Sequence, residues 1–386
     1  MRKLGAILSF YHPKEDTLEN KYTINTAPSL TWNWLKSNCD EVTVNTTFVQ
    51  ADAKYTSLPK GITAEKVNYE EAYKSAIANI PDKKYGDEVK TAQNARITTA
   101  AKQTNEKLTA LINQTVKTPQ DFLISGKVSE PLVLTFDSEA DSISVQNILG
   151  SENSEATVII LYKGNPSTQI IQTKVFAMNN AKLNIIKIQL LGNNSTQFDD
   201  TQIYESENAQ VHFTQIELGG QHVDSGLYTE LKDYKASFKS NVAYLCKENQ
   251  FLDMNHIVYH FGKKTECDMQ VKGTVKDNAI KAYRGTIDFK NGCCGSKGNE
   301  MEETLLLSPT AINKSLPVIL CDEEDVEGEH GATIGRLSSD ILFYMQSRGI
   351  SEKDAEIIMS RAKIQAAADL IPDEEIKNQI SDFLDK

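Results

Sequence analysis

Residues 180–190 read NAKLNIIKIQL, and 28 positions further along residues 208–218 read NAQVHFTQIEL. The two stretches align position for position, and a looser third copy lies at 236–245. Repeats of this length, built from strands and turns, are typical of solenoids, in which stacked coils share a core that one coil cannot bury alone. The repeat therefore predicts a mainly β fold with a β-helix core. An antiparallel sandwich with coincidental internal similarity is the alternative.

The strand-like sequence pattern extends on both sides of the repeat, from about residue 122 to residue 333. Short apolar runs alternate there with Gly, Asn, Ser and Asp, as short strands and turns do. The clearest runs are Leu132–Phe136, Ile143–Val145, Val158–Tyr162 and Val175–Phe176. No helix-length pattern interrupts the region, so we predict strands throughout.

Helical periodicity appears on either side of this region. An apolar stripe at helical spacing lies within residues 87–114 and comprises Ile97, Ala100, Ala101, Thr104, Leu108, Leu111 and Ile112. After residue 337, capping residues predict three helices. The first begins at Ser338 or Ser339 and stops at Gly349, the second begins at Ser351 with Asp354 three residues on, and the third runs from Pro372-Asp373 to near Leu384.

These strand-like and helical sequence patterns divide the chain into three predicted regions. Residues 1–125 form a mixed, partly helical N-terminal region, 126–335 form the β-helix core, and 336–386 form a C-terminal helical region. Three short helices after a solenoid are expected to cap its last coil, or to present a docking face.

The composition excludes several functional classes. The chain has 386 residues, 41 Lys and Arg against 53 Asp and Glu, and a net charge of −12. An acidic chain is a poor partner for nucleic acid or an anionic membrane, since phosphate binding needs a basic face. No apolar stretch approaches the ~18–20 residues that span a bilayer, and the N-terminal apolar run breaks at His12-Pro13-Lys14, so we expect no signal peptide. The six cysteines are sparse and irregularly spaced, which favours reduced thiols and a cytoplasmic location.

Two pairs of potential metal ligands have unsuitable geometry. His256 and His260 lie in strand-like sequence, where residues four apart are separated by roughly 13 Å and cannot share an ion. Cys293 and Cys294 could bind one metal only in a turn, which Gly292 and Gly295 permit, but a structural role is favoured.

No nucleotide-binding or hydrolase motif is visible either. Gly126-Lys127 lacks the upstream glycine of a P-loop, and Val128 stands where Ser or Thr would bind magnesium. These observations argue against an ATPase, a dehydrogenase or a hydrolase.

The most unusual segment is 321–333, CDEEDVEGEHGAT, which combines six carboxylates with a thiol and an imidazole. Charge runs of this kind usually form solvated strands and turns. The other interpretation is an iron or cluster site, because imidazole and thiolate both bind iron.

At this segment the sequence resembles the SufB/SufD family of iron–sulfur cluster assembly proteins. The resemblance rests on EHGATIG at 329–335, LFYMQSRGI at 342–350, YRGTIDF at 283–289, LLLS at 305–308, KGTVKDN at 272–278 and TWNWL at 31–35. It covers about residues 208–370, with scattered support before them.

Within this family, the sequence resembles the SufD-like branch. SufB-type chains carry Glu directly after the motif histidine, whereas SufD-type chains carry Gly, and here Gly331 follows His330. Many SufD chains have Cys two residues before that histidine, where this chain has Gly328. Cys321, nine residues before His330, is a second candidate ligand, and whether it replaces that thiol stays open. The first 120 residues are atypical of the family.

The resemblance implies a right-handed parallel β-helix flanked by helical terminal regions. It further implies a scaffold, not an enzyme, that pairs with a SufB-like subunit through the ends of the β-helices and docks a SufC-type ATPase through its C-terminal helices. By this analogy His330 is an interface ligand for iron or a nascent cluster, held transiently and completed by a partner thiolate.

The proposed docking face comprises Leu342, Phe343, Met345, Arg348 and Ile350. Burial of that apolar face against the solenoid is the competing interpretation. A homodimer that fills both the SufB and SufD roles is the alternative within the family, against which Gly331 argues. A β-helix carbohydrate-active enzyme is the alternative outside it; such enzymes need paired carboxylates in a cleft and are usually exported.

Overall fold

The computed structural model describes residues 21–28, 37–44, 47–66 and 106–385. Within them, an eight-stranded and a ten-stranded sheet face each other, and the chain alternates between the two. The even-numbered strands from β6 onward form the first sheet: β6 Leu132–Asp137, β8 Glu155–Gly164, β10 Lys182–Leu191, β12 Gln210–Glu217, β14 Ser237–Cys246, β16 Glu266–Val275, β18 Ser296–Leu306 and β20 Val326–Arg336.

The odd-numbered strands from β5 onward form most of the second sheet. They are β5 Gln120–Ile124, β7 Ser142–Gly150, β9 Thr168–Ala177, β11 Thr196–Glu205, β13 His222–Leu231, β15 Phe251–His260, β17 Ile280–Phe289 and β19 Ile312–Cys321. Neighbours within each of these two sets pair in parallel, so each coil adds one strand to each sheet. The predicted parallel β-helix is confirmed, and the four predicted apolar runs lie in β6 to β9.

The repeat at 180–190 and 208–218 reflects the pairing register of the coils. Lys182 of β10 pairs with Gln210 of β12, which in turn pairs with Ser237 of β14. The 28-residue repeat thus places equivalent residues beside each other on β10 and β12, and the third copy continues this pairing on β14.

A ladder of asparagines turns the chain at the corresponding point of successive coils. Asn153, Asn180 and Asn208 all have φ between 53° and 58°. Asparagine tolerates this left-handed backbone better than most residues. The Nδ2 group of Asn180 also donates to Oδ1 of Asn153 at 3.2 Å, which links two coils.

Apolar side chains from both sheets fill the inside of the solenoid. Leu183, Val211, Phe238 and Cys267 occupy one inward column on the even-numbered sheet. Because inward positions alternate with outward ones along each strand, every coil extends the same core.

The N-terminal elements cover the outer face of the odd-numbered sheet. Strands β1 Lys21–Ile24 and β2 Asp40–Thr43 form an antiparallel pair, and α1 Glu106–Thr115 buries Leu108 and Ile112 beside Ile143, Ile170 and Phe198. Strands β3 Val49–Gln50 and β4 Ile62–Lys66 join this sheet through β7 and β5. The predicted stripe residues Ile97 to Thr104 and the 31–35 motif lie outside the described residues. The three regional boundaries stay a prediction.

The three C-terminal helices form with the predicted caps. They are α2 Ser339–Ser347, α3 Glu352–Ala368 and α4 Glu374–Leu384, capped by Ser338, Ser351 and Asp373. The expectation that they cap the last coil is wrong. Helix α3 lies across β12, β14 and β16, on the outer face of the even-numbered sheet.

The reason is an apolar stripe on the outside of that sheet. Ile186, Ile188 and Ile216 point outward and pack with Ile364 of α3 and Ile376 of α4. The helices therefore bury a second apolar layer and leave the solenoid end uncovered. None of the helices in the described parts of the chain combines the length and apolar character that crossing a membrane requires.

Candidate functional site at the open end of the solenoid

Strands β19 and β20 form the last coil of the solenoid. β19 is the last strand of one sheet and pairs with β17, and β20 is the last strand of the other sheet and pairs with β18. No described segment pairs with their other edges, and β20 is exposed along almost its whole length. An unpaired strand edge offers a row of N–H and C=O groups that another chain can pair with.

His330 lies on the inner side of this last coil. It pairs in register with Glu300 of β18, where Gly298, Glu300 and Glu302 face inward and Met301 is exposed. Side chains in register on neighbouring strands share a face, so His330 continues the inward column. Since no further coil within the described residues covers it, the imidazole is exposed at the end of the solenoid.

A buried charged cluster lies one coil below His330. Glu302 accepts hydrogen bonds from Lys281 Nζ, Ser315 Oγ and Thr304 Oγ1. The side chains of Lys281 and Glu302 are fully buried. Burial lowers the pKa of Lys281, although the charge of Glu302 opposes this shift. The core therefore contains a buried ion pair directly beneath the last coil.

Glu300 differs from Glu302 because it has no cationic partner in contact among the described residues. Burial, and then the charge of Glu302, raise its pKa to about 7. Its Oε2 atom is buried and makes no hydrogen bond with the described residues. Glu300 therefore supplies a carboxyl that exchanges its proton near neutral pH, directly below the exposed imidazole.

Sequence reasoning missed this cluster of Lys281, Glu300 and Glu302. The available signal was the spacing of two between the glutamates, which places both on one face of a strand. The sequence alone does not show that this face points inward, because charged residues usually lie on the solvated face of a strand.

Cys321 lies on the same coil as His330 but on the opposite sheet. It pairs in register with Phe289, which belongs to the inner core, and its thiol is exposed. The Cys321 Sγ atom donates to the main-chain oxygen of Glu323 at 2.9 Å. The structure therefore brings both predicted ligands to the open end without joining them to each other.

Neither predicted ligand belongs to a complete metal site within the described residues. The one group of three or more His, Cys, Asp or Glu side chains there with ligand atoms close enough for one ion is Asp40, His222 and Asp224, elsewhere in the fold. A metal held by His330 would need ligands from outside these residues.

The other candidate ligands take different places. Cys293 and Cys294 lie in a turn between β17 and β18. The Cys293 side chain is buried, and the Sγ atom of Cys294 donates to Asp325 Oδ2 at 2.7 Å.

His256 and His260 are buried on β15, where burial lowers the pKa of each to about 3. His260 Nε2 lies 3.3 Å from Cys267 Sγ. Both histidines are neutral side chains of the core.

The predicted docking face on and after α2 is not covered by the described parts of the chain. No residue of α2 is buried. Phe343 and Tyr344 are 73% and 60% exposed, and the Arg348 guanidinium lies 5.4 Å from the Tyr344 ring centroid. Leu342, Met345 and Ile350 are half-buried. Clustered exposed apolar side chains commonly mark interaction sites.

Comparison with known proteins links this architecture to a family. A family model described as "SUF system FeS cluster assembly, SufBD core domain" matches residues 137–363, which include β7 to β20, α2 and most of α3. Several curated proteins are also similar to parts of the chain.

Three of these relatives illustrate the similarity. The iron–sulfur cluster assembly protein SufD of Bacillus subtilis is 29% identical over 129 residues, 33% of this chain and 30% of that protein. SufD of Escherichia coli is 25% identical over 164 residues, 42% of this chain and 38% of that protein. A SufBD family protein of Synechocystis is 30% identical over 111 residues, 29% of this chain and 23% of that protein. The matched segments thus span well under two thirds of each relative.

Proposed function

The chain belongs to the SufB/SufD family of iron–sulfur cluster assembly proteins, on its SufD-like side, and from this premise we propose that it is a non-enzymatic scaffold subunit. It pairs with a SufB-like subunit through the last coil of its solenoid and docks a SufC-type ATPase through its C-terminal helical region. A nascent cluster, or the iron that begins it, is carried transiently between the two scaffold subunits as cargo.

The observation that carries this proposal is the uncovered last coil with His330 at its inner rim. A solenoid that ends in two unpaired edges favours continuation of both sheets by a second chain. His330 and Cys321 would then be buried in that interface, facing the partner. Neutral imidazole and thiolate are both suitable iron ligands.

The uncovered α2 surface supports the second contact. Helix α3 already packs on the solenoid, while α2 turns Phe343 and Tyr344 to solvent. A partner that covers this patch would gain about 25 cal/mol for each Å² of apolar area removed from water. ATP hydrolysis belongs to that partner, since this chain carries no P-loop pattern.

The test of the cluster role is the iron and acid-labile sulfide content of the complex. We would co-purify the chain anaerobically with SufB-like and SufC-type partners, as wild type and as His330→Ala. The matched control is His212→Ala, which removes an exposed histidine from the outer face of β12. We expect all three complexes to assemble and His330→Ala alone to lose its iron and sulfide. Full iron and sulfide in an assembled His330→Ala complex would overturn the ligand assignment.

The docking role is tested separately. Phe343→Ser is expected to reduce capture of the ATPase while the SufB-like subunit still binds. Tyr234→Ser, which removes another exposed aromatic side chain from the turn before β14, is the control and should leave capture unchanged. Equal capture by both variants would exclude α2 as the docking surface.

A further inference from the structure

A cluster of three potential ligands joins the N-terminal strand pair to the solenoid. His222 and Asp224 lie at the start of β13, and Asp40 begins β2, which lies against the outside of the same sheet. The Nε2 atom of His222 lies 2.9 Å from Asp40 Oδ2 and 2.8 Å from Asp224 Oδ2. One imidazole nitrogen is therefore close to two carboxylates from separate parts of the chain.

The cluster is partly buried and incompletely satisfied. Asp224 is only 3% exposed, and its Oδ1 atom has no hydrogen-bond partner among the described residues. A buried carboxylate oxygen without a partner is costly. His222 and Asp40 are half-buried, so an ion could reach the group from solvent.

Neighbouring groups hold the His222 ring in place and leave the cluster short of positive charge. The ring lies 4.7 Å from the Phe251 ring, measured between centroids. The nearby Arg284 guanidinium is already paired with Asp253. The two carboxylates near His222 therefore outnumber the single charge that its imidazole can carry. A divalent cation bound together with neutral imidazole would balance the charges of both carboxylates.

The spacing of the three atoms suits one ion. Adjacent ligands of an octahedral ion lie about 3.0 Å apart when each ligand is about 2.1 Å from the metal. The two separations from His222 Nε2 are close to this value, and all three ligand atoms lie within 4.8 Å of one another. One nitrogen and two carboxylate oxygens form a donor set suited to manganese, iron or zinc.

We propose that Asp40, His222 and Asp224 form a site for one divalent first-row transition-metal ion, distinct from the open end of the solenoid. The ion would be held by His222 Nε2 and one oxygen of each of the two carboxylates. It also crosslinks β2 to β13, fixing the N-terminal strand pair on the outer face of the odd-numbered sheet. A ligand that binds only the folded chain stabilises it.

The experiment uses the full chain, stripped of metal with a chelator and then dialysed against Mn²⁺ or Zn²⁺. Bound metal is counted by elemental analysis, and bound Mn²⁺ is also followed by electron paramagnetic resonance. We expect one ion per chain and a higher melting temperature with metal. Asp224→Asn and His222→Gln should lose both effects.

Two control variants keep this result separate from the proposed scaffold function. His212→Gln removes a histidine from the outside of β12 and should retain the ion. His330→Ala should also retain it, whatever happens to cluster content in the complex. Because Asp224→Asn nearly preserves shape, its folding can be confirmed by circular dichroism. Wild-type protein that binds no ion, or folded Asp224→Asn that binds as much as wild type, would overturn the site.

Discussion

His330 on β20 lies in register with Glu300 on β18, so an exposed imidazole continues the inward column above a buried carboxyl. Their positions differ by a single coil, yet one side chain is open to solvent and the other is enclosed. A partner chain that extended the sheets would convert the environment of His330 into that of Glu300. The two residues thus mark the boundary between the core and the proposed interface.

The first prediction is that His330 contributes little to the stability of the isolated chain. Its exposed side chain packs under no further coil, so His330→Ala should change the free energy of unfolding by no more than about 0.5 kcal/mol. Urea denaturation followed by circular dichroism measures this value. A loss of several kcal/mol would mean that the residue supports the fold, and loss of cluster in the variant could then not be ascribed to a missing ligand.

The buried pair of Lys281 and Glu302 should behave in the opposite way. Lys281→Met leaves the Glu302 carboxylate buried without its cation, which costs about 3–5 kcal/mol in comparable buried pairs. The double variant Lys281→Met/Glu302→Leu removes both charges and should recover much of that loss. Equilibrium unfolding in urea provides all three values.

The control for this pair is Lys297 of β18, which forms an ion pair with Glu327 of β20 at the surface. Both side chains are well exposed, so water and salt screen their attraction. Lys297→Met should leave the unfolding midpoint almost unchanged. If it destabilises the chain as much as Lys281→Met, burial is not the cause of the difference.

Helix α3 supplies a third prediction. Ile364 is fully buried against the outer face of the even-numbered sheet, whereas Ile358 on the same helix is 47% exposed. Ile364→Ala should cost about 2–5 kcal/mol, and Ile358→Ala should cost much less because it leaves little cavity. Equal losses in a denaturant titration would contradict the packing of α3 on this sheet.

The core architecture could be predicted because pairing register leaves a direct trace in the sequence. Residues such as Lys182 and Gln210 pair across neighbouring coils, so similar segments recur at the coil spacing. Helix caps at Ser338 and Ser351 are equally local signals and were also predictable. In each case the determining residues lie within one element or one repeat.

The position of the C-terminal helices could not be predicted in the same way. Ile185 faces the inner core, whereas Ile186 and Ile188 face α3 and α4. In sequence the three residues form one apolar run that does not reveal a second buried face. The Asp40, His222 and Asp224 cluster was hidden for a related reason, since β2 and β13 are far apart in the chain. Only the spacing of His222 and Asp224, on one face of a strand, hinted at it.

The last prediction concerns Glu217, at the end of β12 inside the solenoid. Burial, and then the charge of Asp199, raise its pKa from 4.5 to about 8. Between these values the folded state binds a proton that the unfolded state has released. Stability should therefore fall as pH rises through this window, by up to about 1.4 kcal/mol per pH unit from this group.

The variant Glu217→Gln removes this titration and nearly preserves the shape of the protonated acid. Its Oε1 atom can still accept the hydrogen bond from Gln215 Nε2, which is 2.6 Å long in the wild type. Urea denaturation across the pH range should give a flatter stability profile for Glu217→Gln than for wild type. Glu207→Gln, in the exposed turn before β12, should retain the wild-type slope. If Glu217→Gln also retains that slope, Glu217 does not hold its proton in the folded chain, and the buried carboxylate must be stabilised by a cation or water inside the solenoid.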